Sequence, residues 1–229
     1  MATLLSSPSF SEALSPTSAS AFKRRDSNAR TSTSTTPVKQ ITSMPKKDLL
    51  VVSPYLEEDH LLDLSTLDTA NQLLARAMVD LKFIRDDHRT APYIVSLNWP
   101  DVIKSVRDMA QASDFEWTKT DFYIVVFRSR IPPTTVYSDL GVLDKAAHAE
   151  ATAGGGFLKY IFSTPDSFGR NLATCVWRSK QDASNGSVGP HHREAAQATR
   201  FLYTEWAIER LRLVIDDDVK SWRIVDWSA

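Results

Sequence analysis

From Asp121 to Trp227 the apolar pattern changes period in a set order: strand, helix, strand, strand, helix, strand, then one added C-terminal strand. Side chains repeat every two residues on a strand and roughly every 3.6 on a helix, so these switches give the element order before any contact is known. That order is the split βαβ pattern of a ferredoxin-like α+β fold. Phe122-Tyr123-Ile124-Val125-Val126-Phe127 is apolar at both parities, which demands cover on both faces of this strand. Val136, Leu140, Leu143, Ala147 and Ala151 then share one helical stripe, and Gly154-Gly155-Gly156 ends that helix. A phosphate loop is set aside there, because no strand precedes the glycines and no Gly-Lys-Ser/Thr follows. Phe157–Phe162 and Leu172–Trp177 read as strands joined through Pro165, Asp166 and Gly169. A loop with Asn185, Gly186 and Gly189 leads to Pro190 and a second helix, with Ala195, Ala198, Leu202 and Trp206 turned inward. Ile208–Ile215 and Trp222–Trp227 pair as a hairpin about Asp216-Asp217-Asp218, which lacks the alternating ligands and closing Glu of a calcium loop.

Residues 49–117 read as a helical extension of the same core, because so few aromatics over ~70 residues make a separate domain marginal. Leu67–Leu81 has helical spacing with Asp68 or Thr69 as cap, and Tyr93–Leu97 is a short β-like run behind Pro92. Asn98 caps a further helix with Pro100 in its first turn and Val102, Ile103, Val106, Met109 and Ala110 inward. Residues 1–48 are different. They hold 18 Ser or Thr, four Pro and few large apolar side chains, so disorder is expected. Ser7, Ser15 and Thr36 precede Pro, and Arg24-Arg25-Asp26-Ser27 suits a basophilic kinase. Mitochondrial import is disfavoured against a cytoplasmic location, since no Lys or Arg occurs in the first 22 residues and Pro8 and Pro16 interrupt any helix.

A net charge of −1 supplies no basic field for nucleic acid or anionic lipid. No apolar run is long enough to span a bilayer, so a soluble protein without nucleic-acid or membrane partners is expected. The single cysteine, Cys175, leaves no internal disulfide and sits mid-strand as a buried thiol. Neither zinc-like spacing nor a nucleotide fingerprint occurs, so no metal or cofactor is assigned.

Candidate site residues follow from helix ends and strand faces. His192 lies in the first turn behind Pro190, where the helix dipole favours a neutral ring. Tyr203 shares its flank, and His191 lies nearer the Ala195–Leu202 stripe. His148 follows Asp144 by four residues, and the two are placed to pair along the first helix. Tyr160 and Trp177 fall on strands expected to be neighbours, with rings able to line a pocket between sheet and helices. Arg128, Arg178, Arg210 and Arg212 sit on or near strand ends, where a cluster would hold a carboxylate.

Gly154-Gly155-Gly156-Phe157-Leu158-Lys159-Tyr160, Asn171–Ser179 and His191-His192-Arg193 resemble a fungal protein family to which no activity is attached. The likeness runs from about Leu61 to Trp227. More distantly, Trp177-Arg178-Ser179 with His191-His192 is similar to the dimeric α+β barrel proteins, which include antibiotic-biosynthesis-type monooxygenases. That resemblance implies a homodimer with oxygenase-like chemistry needing no cofactor, and a site between sheet and helices gives His192, Trp177, Tyr160, Tyr203 and His148 as lining residues for a small hydrophobic or aromatic ligand. The spacer 185–189 lacks that group's bulky aromatic. Burial on both faces of 122–127 is the physical motive for a second copy, unless 49–117 supplies the cover. The alternative is a non-enzymatic dimeric scaffold with a phosphorylatable tail.

Overall fold

A computed structural model describes residues 47–135 and 137–228. The tail expectations for 1–46, and Val136 of the helical stripe, lie outside the described residues. The chain enters through a two-stranded ribbon of β1 (Leu49–Leu50) and β2 (Leu62–Asp63). It continues into α1 (Thr69–Ala77), capped by Asp68, whose carboxylate accepts the Asn71 amide at 3.0 Å. A one-turn helix α2 (Tyr93–Ser96) and the longer α3 (Trp99–Ala112) follow. The β-like reading of Tyr93–Leu97 is thus corrected to a helical turn. Pro92 caps it at φ −54°, and Ser96 Oγ donates back to the Pro92 carbonyl at 2.9 Å. Only Leu97 keeps a strand-like bridge, to Phe83. Asn98 stands at the N-cap of α3 without capping it through its side chain. Its amide instead accepts from Lys82 N at 2.8 Å and donates to Asp80 O at 3.2 Å, pinning the loop before it.

The remaining elements are β3 (Thr120–Arg130), α4 (Tyr137–Gly154), β4 (Phe157–Phe162), β5 (Arg170–Trp177), α5 (Lys180–Asn185), α6 (Pro190–Leu202), β6 (Glu205–Ile215) and β7 (Trp222–Asp226). The sheet order is β4-β5-β3-β6-β7, and every pair is antiparallel. The first strand of the motif lies between the third and the fourth, which is the ferredoxin-like arrangement with β7 added at one edge. Gly155 and Gly156 leave α4 at φ 80° and 71°, as a helix-terminating pair should.

Two local expectations are revised. The stretch after Trp177 is not all loop, because Ser179 accepts the Asp182 amide and nucleates α5. Trp206 is not on the second helix. That helix ends at Leu202, and Thr204 N donates to Arg130 O at 2.8 Å, so the strand ladder resumes and β6 begins at Glu205.

β3 is buried on both faces, and the two faces meet different partners. Phe122, Ile124, Val126, Leu158, Leu172, Val176, Leu211 and Leu213 share one apolar cluster with Leu73 and Leu74 of α1 and Trp99, Val102, Ile103 and Val106 of α3. Each large side chain so buried contributes roughly 1.5–3 kcal/mol. The 49–117 segment therefore covers the face that motivated a second copy, and the burial argument for a dimer is met inside one chain. Arg128 continues that row where apolar cover ends. Its guanidinium pairs with Glu209 and donates to the carbonyls of Arg89 (2.7 Å) and Ala91 (2.9 Å).

Candidate functional site

On the opposite face of the sheet Tyr123, Phe157, Tyr160, Cys175 and Trp177 form a second cluster with Ala151 and Ala183. α4 and α6 lie above it, but α6 buries none of its residues. Small side chains explain the space beneath. Ala147 and Ala151 of α4 and Ala195 and Ala196 of α6 all line a cavity of about 500 Å³ between helices and sheet. His148, Tyr160, Trp177, His192 and Tyr203 are all brought to the wall of this one cavity. Alternation on β4 and β5 puts Tyr160 and Trp177 on the same sheet face, and α4 and α6 supply the histidines.

The polar groups gather around α4. Asp144 accepts the Tyr160 hydroxyl on one carboxylate oxygen and the Tyr55 hydroxyl on the other, each at 2.5 Å. Burial raises the Asp144 pKa, and the two tyrosine hydroxyls only partly oppose it. The expected Asp144–His148 pair does not form, because the carboxylate turns to these tyrosines. His148 is 4% exposed and faces His60 instead, Nδ1 to Nδ1 at 2.9 Å. Burial, reinforced by the charges of His60 and His192, pushes the His148 pKa down to about 3. Burial likewise raises the Tyr160 hydroxyl well above its ordinary range. Both rings are thus neutral over the physiological pH range.

His192 keeps a lowered pKa through burial, partly offset by Glu150, whose Oε1 lies 3.5 Å from Nδ1. Glu150 also accepts the amides of His191 (3.0 Å) and His192 (3.4 Å) and so caps α6. His191, expected nearer the inward stripe, is exposed. The first turn of α6 is oriented by that Glu150 anchor, and it brings His192 to the cavity. Trp177 packs on Phe157 with centroids 4.5 Å apart and donates Nε1–H to Cys175 Sγ at 3.0 Å. Burial pushes that thiol up to about 12, as befits an inert buried cysteine. At the far end Tyr203 stacks on Trp206 (5.2 Å), which stacks on Phe127 (5.4 Å).

The arginines do not cluster. Arg128 takes Glu209, Arg178 takes Asp182, and Arg212 lies 3.7 Å from Asp121. Tyr55 and His60 escaped the sequence reading altogether. They come from the loop and single turn between β1 and β2, where no periodic pattern marks a face, and meet α4 across 89 and 88 residues of chain. Among the described residues no group of three or more His, Cys, Asp or Glu is placed to hold a metal ion, and no helix is long and apolar enough to cross a membrane.

Among solved structures, Rv0793 from Mycobacterium tuberculosis is 21% identical with a TM-score of 0.36, covering 39% of this chain and 92% of its own. SnoaB, a cofactor-independent oxygenase from Streptomyces nogalater, is 17% identical with a TM-score of 0.33, covering 38% and 89%. A dimeric ferredoxin-like protein from Thermobifida fusca is 10% identical with a TM-score of 0.33, covering 41% and 92%. These are partial backbone likenesses, and the fold assignment rests on the strand order above. UPF0643 protein PB2B2.08 of Schizosaccharomyces pombe is 35% identical over 179 residues, which is 74% of this chain and 80% of that protein. The family model described as PB2B2.08-like matches residues 51–226. By the extent of that match and the identity to the yeast relative, the chain belongs to the PB2B2.08-like family.

Proposed function

We propose that the protein binds a small, ring-bearing organic molecule between its sheet and helices α4 and α6. The observation that carries this reading is the cavity itself. Its volume of about 500 Å³ suits a ligand of modest size, and a largely apolar wall surrounds one knot of convergent polar groups. His148, His192, Tyr160, Trp177 and Tyr203 are its proposed ligand-lining residues, joined by Asp144 and Tyr55. A wall built from eight aromatic rings favours flat ligands through offset or edge-on packing.

Turnover is a further step. For oxygenase-like chemistry, which the sequence resemblance implies, a bound substrate has to surrender a proton inside the cavity. Asp144 suits that task, because its raised pKa moves the carboxylate toward the range where a base acts efficiently. His148, with its pKa near 3, is too weak a base for it. Homodimer formation is a separate proposal, and the covered sheet face gives it no support.

The test is titration calorimetry with two neutral bicyclic probes, 1-naphthylmethanol and menadione. Saturable binding is expected in the wild type. Ala195→Trp fills the space from α6, whose residues bear no core load, and is expected to abolish binding while leaving the melting temperature nearly unchanged. Binding that survives this substitution, or no wild-type binding of any bicyclic probe, neutral or charged, refutes the cavity reading.

A further inference from the structure

The chemical character of the cavity wall specifies more than size. Its described lining includes one carboxylate, Asp144, and no Lys or Arg. Among the described lining residues His148 and His192 are the groups able to carry positive charge, and burial lowers the pKa of both. Tyr55, Phe127, Phe157, Tyr160, Trp177 and Trp206 all contribute rings to the same lining. Each ring face carries the negative side of its quadrupole, and a cation within about 6 Å of the centroid is attracted to it. Outside the lining, the Lys145 ammonium lies 5.8 Å from the Tyr55 ring centroid and is paired with Glu57.

We infer that the cavity selects an organic cation, a protonated amine or quaternary ammonium borne on an apolar or aromatic frame, with Asp144 as its counter-charge. This rests on the ligand-binding reading above and narrows it to one class. The tyrosine hydroxyls fit the same assignment. Both donate to Asp144, which leaves the carboxylate an acceptor held in position, with lone pairs free to take an ammonium N–H. A buried carboxylate with no cationic partner is costly, and a bound cation removes that cost. An anionic ligand meets the opposite field and is excluded.

Three probes of nearly equal shape decide the matter. At neutral pH 1-naphthylmethylamine is a cation, 1-naphthylmethanol is neutral and 1-naphthoate is an anion. Calorimetry on the wild-type protein is expected to rank them amine, alcohol, carboxylate, with the amine favoured over the alcohol by roughly tenfold or more, about 1.4 kcal/mol per decade. Asp144→Asn keeps the side-chain size and is expected to bring the amine and alcohol affinities together. A wild-type preference for the alcohol or the naphthoate, or an amine preference unchanged in Asp144→Asn, overturns the inference. Equal binding of all three keeps the cavity reading and defeats this one, whereas binding of none defeats both. Because the wild-type ranking already decides the sign, a poorly folded variant does not shield the inference.

Discussion

Replacing Arg128 with Met tests how the N-terminal segment is held to the sheet. The guanidinium is only 20% exposed and joins the Glu209 carboxylate on the neighbouring strand to the carbonyls of Arg89 and Ala91, with the His88 carbonyl at a longer 3.4 Å. A hydrogen bond with a charged donor is worth about 1.5–3 kcal/mol when protected, so the two short carbonyl contacts contribute up to about 6 kcal/mol. Loop carbonyls near the surface recover part of this by turning to water. The Glu209 partner is 38% exposed and adds about 1 kcal/mol or less. We expect a loss of roughly 3 kcal/mol, measured by urea unfolding with an unchanged slope. For a body of this size that corresponds to a fall of about 6–12 °C in melting temperature. Glu209→Gln alone should cost about 1 kcal/mol or less, which separates the ion pair from the carbonyl contacts. A loss below about 0.5 kcal/mol for Arg128→Met refutes the reasoning, for the guanidinium then decorates the joint without holding it.

Two further predictions concern pH and backbone. The folded-state pKa of His148 is depressed from 6.5 to about 3, so the stability it brings is complete above 6.5 and is lost as pH falls from there toward 3. Within that window the loss approaches about 1.4 kcal/mol per pH unit, and His148→Phe should flatten it in unfolding curves taken at successive pH values. Asp144 acts oppositely, since its raised pKa gives stability that is present below 3.8 and fades as pH climbs through its folded value. An acid limb equally steep in His148→Phe would show that other groups govern it. Gly155→Ala and Gly156→Ala should differ. Both positions have positive φ, which costs an alanine about 1–2 kcal/mol, but a Cβ on Gly155 meets open space whereas one on Gly156 lies 2.6 Å from the Asp182 carboxyl carbon. Thermal melts should place the Gly156 variant below the Gly155 one, and the reverse order would contradict the packing around α5.

Much of the fold was legible because its signals are local. The run 122–127 announces a doubly buried strand, and the glycine triplet marks a helix end, since both follow from backbone sterics and side-chain period. The misreadings have local causes too. Tyr93–Leu97 carries β-branched residues, yet Pro92 and Ser96 close a helical turn there. Trp206 continued the apolar stripe of α6 only on paper, because the Thr204 amide was claimed by Arg130. Of the polar cluster, His148, His192 and Tyr160 were visible from their positions on amphipathic elements. His60 as the partner of His148, Glu150 as that of His192 and Tyr55 as the second donor to Asp144 were not, because no periodicity ties a side chain to one so far along the chain.

The amino-acid order by itself determined the succession of the main strands and helices from β3 onward, and that the central strand is apolar on both sides. It also determined that the central strand needs cover twice. Tertiary structure decided what provides that cover: α1 and α3 on one side, and on the other two helices whose alanines stop short of the sheet and leave a chamber. The division has a simple origin. Period reports that a face is buried, a property of neighbouring residues, whereas the identity of the covering group depends on chain closure across long separations, for which alternation and capping carry no information.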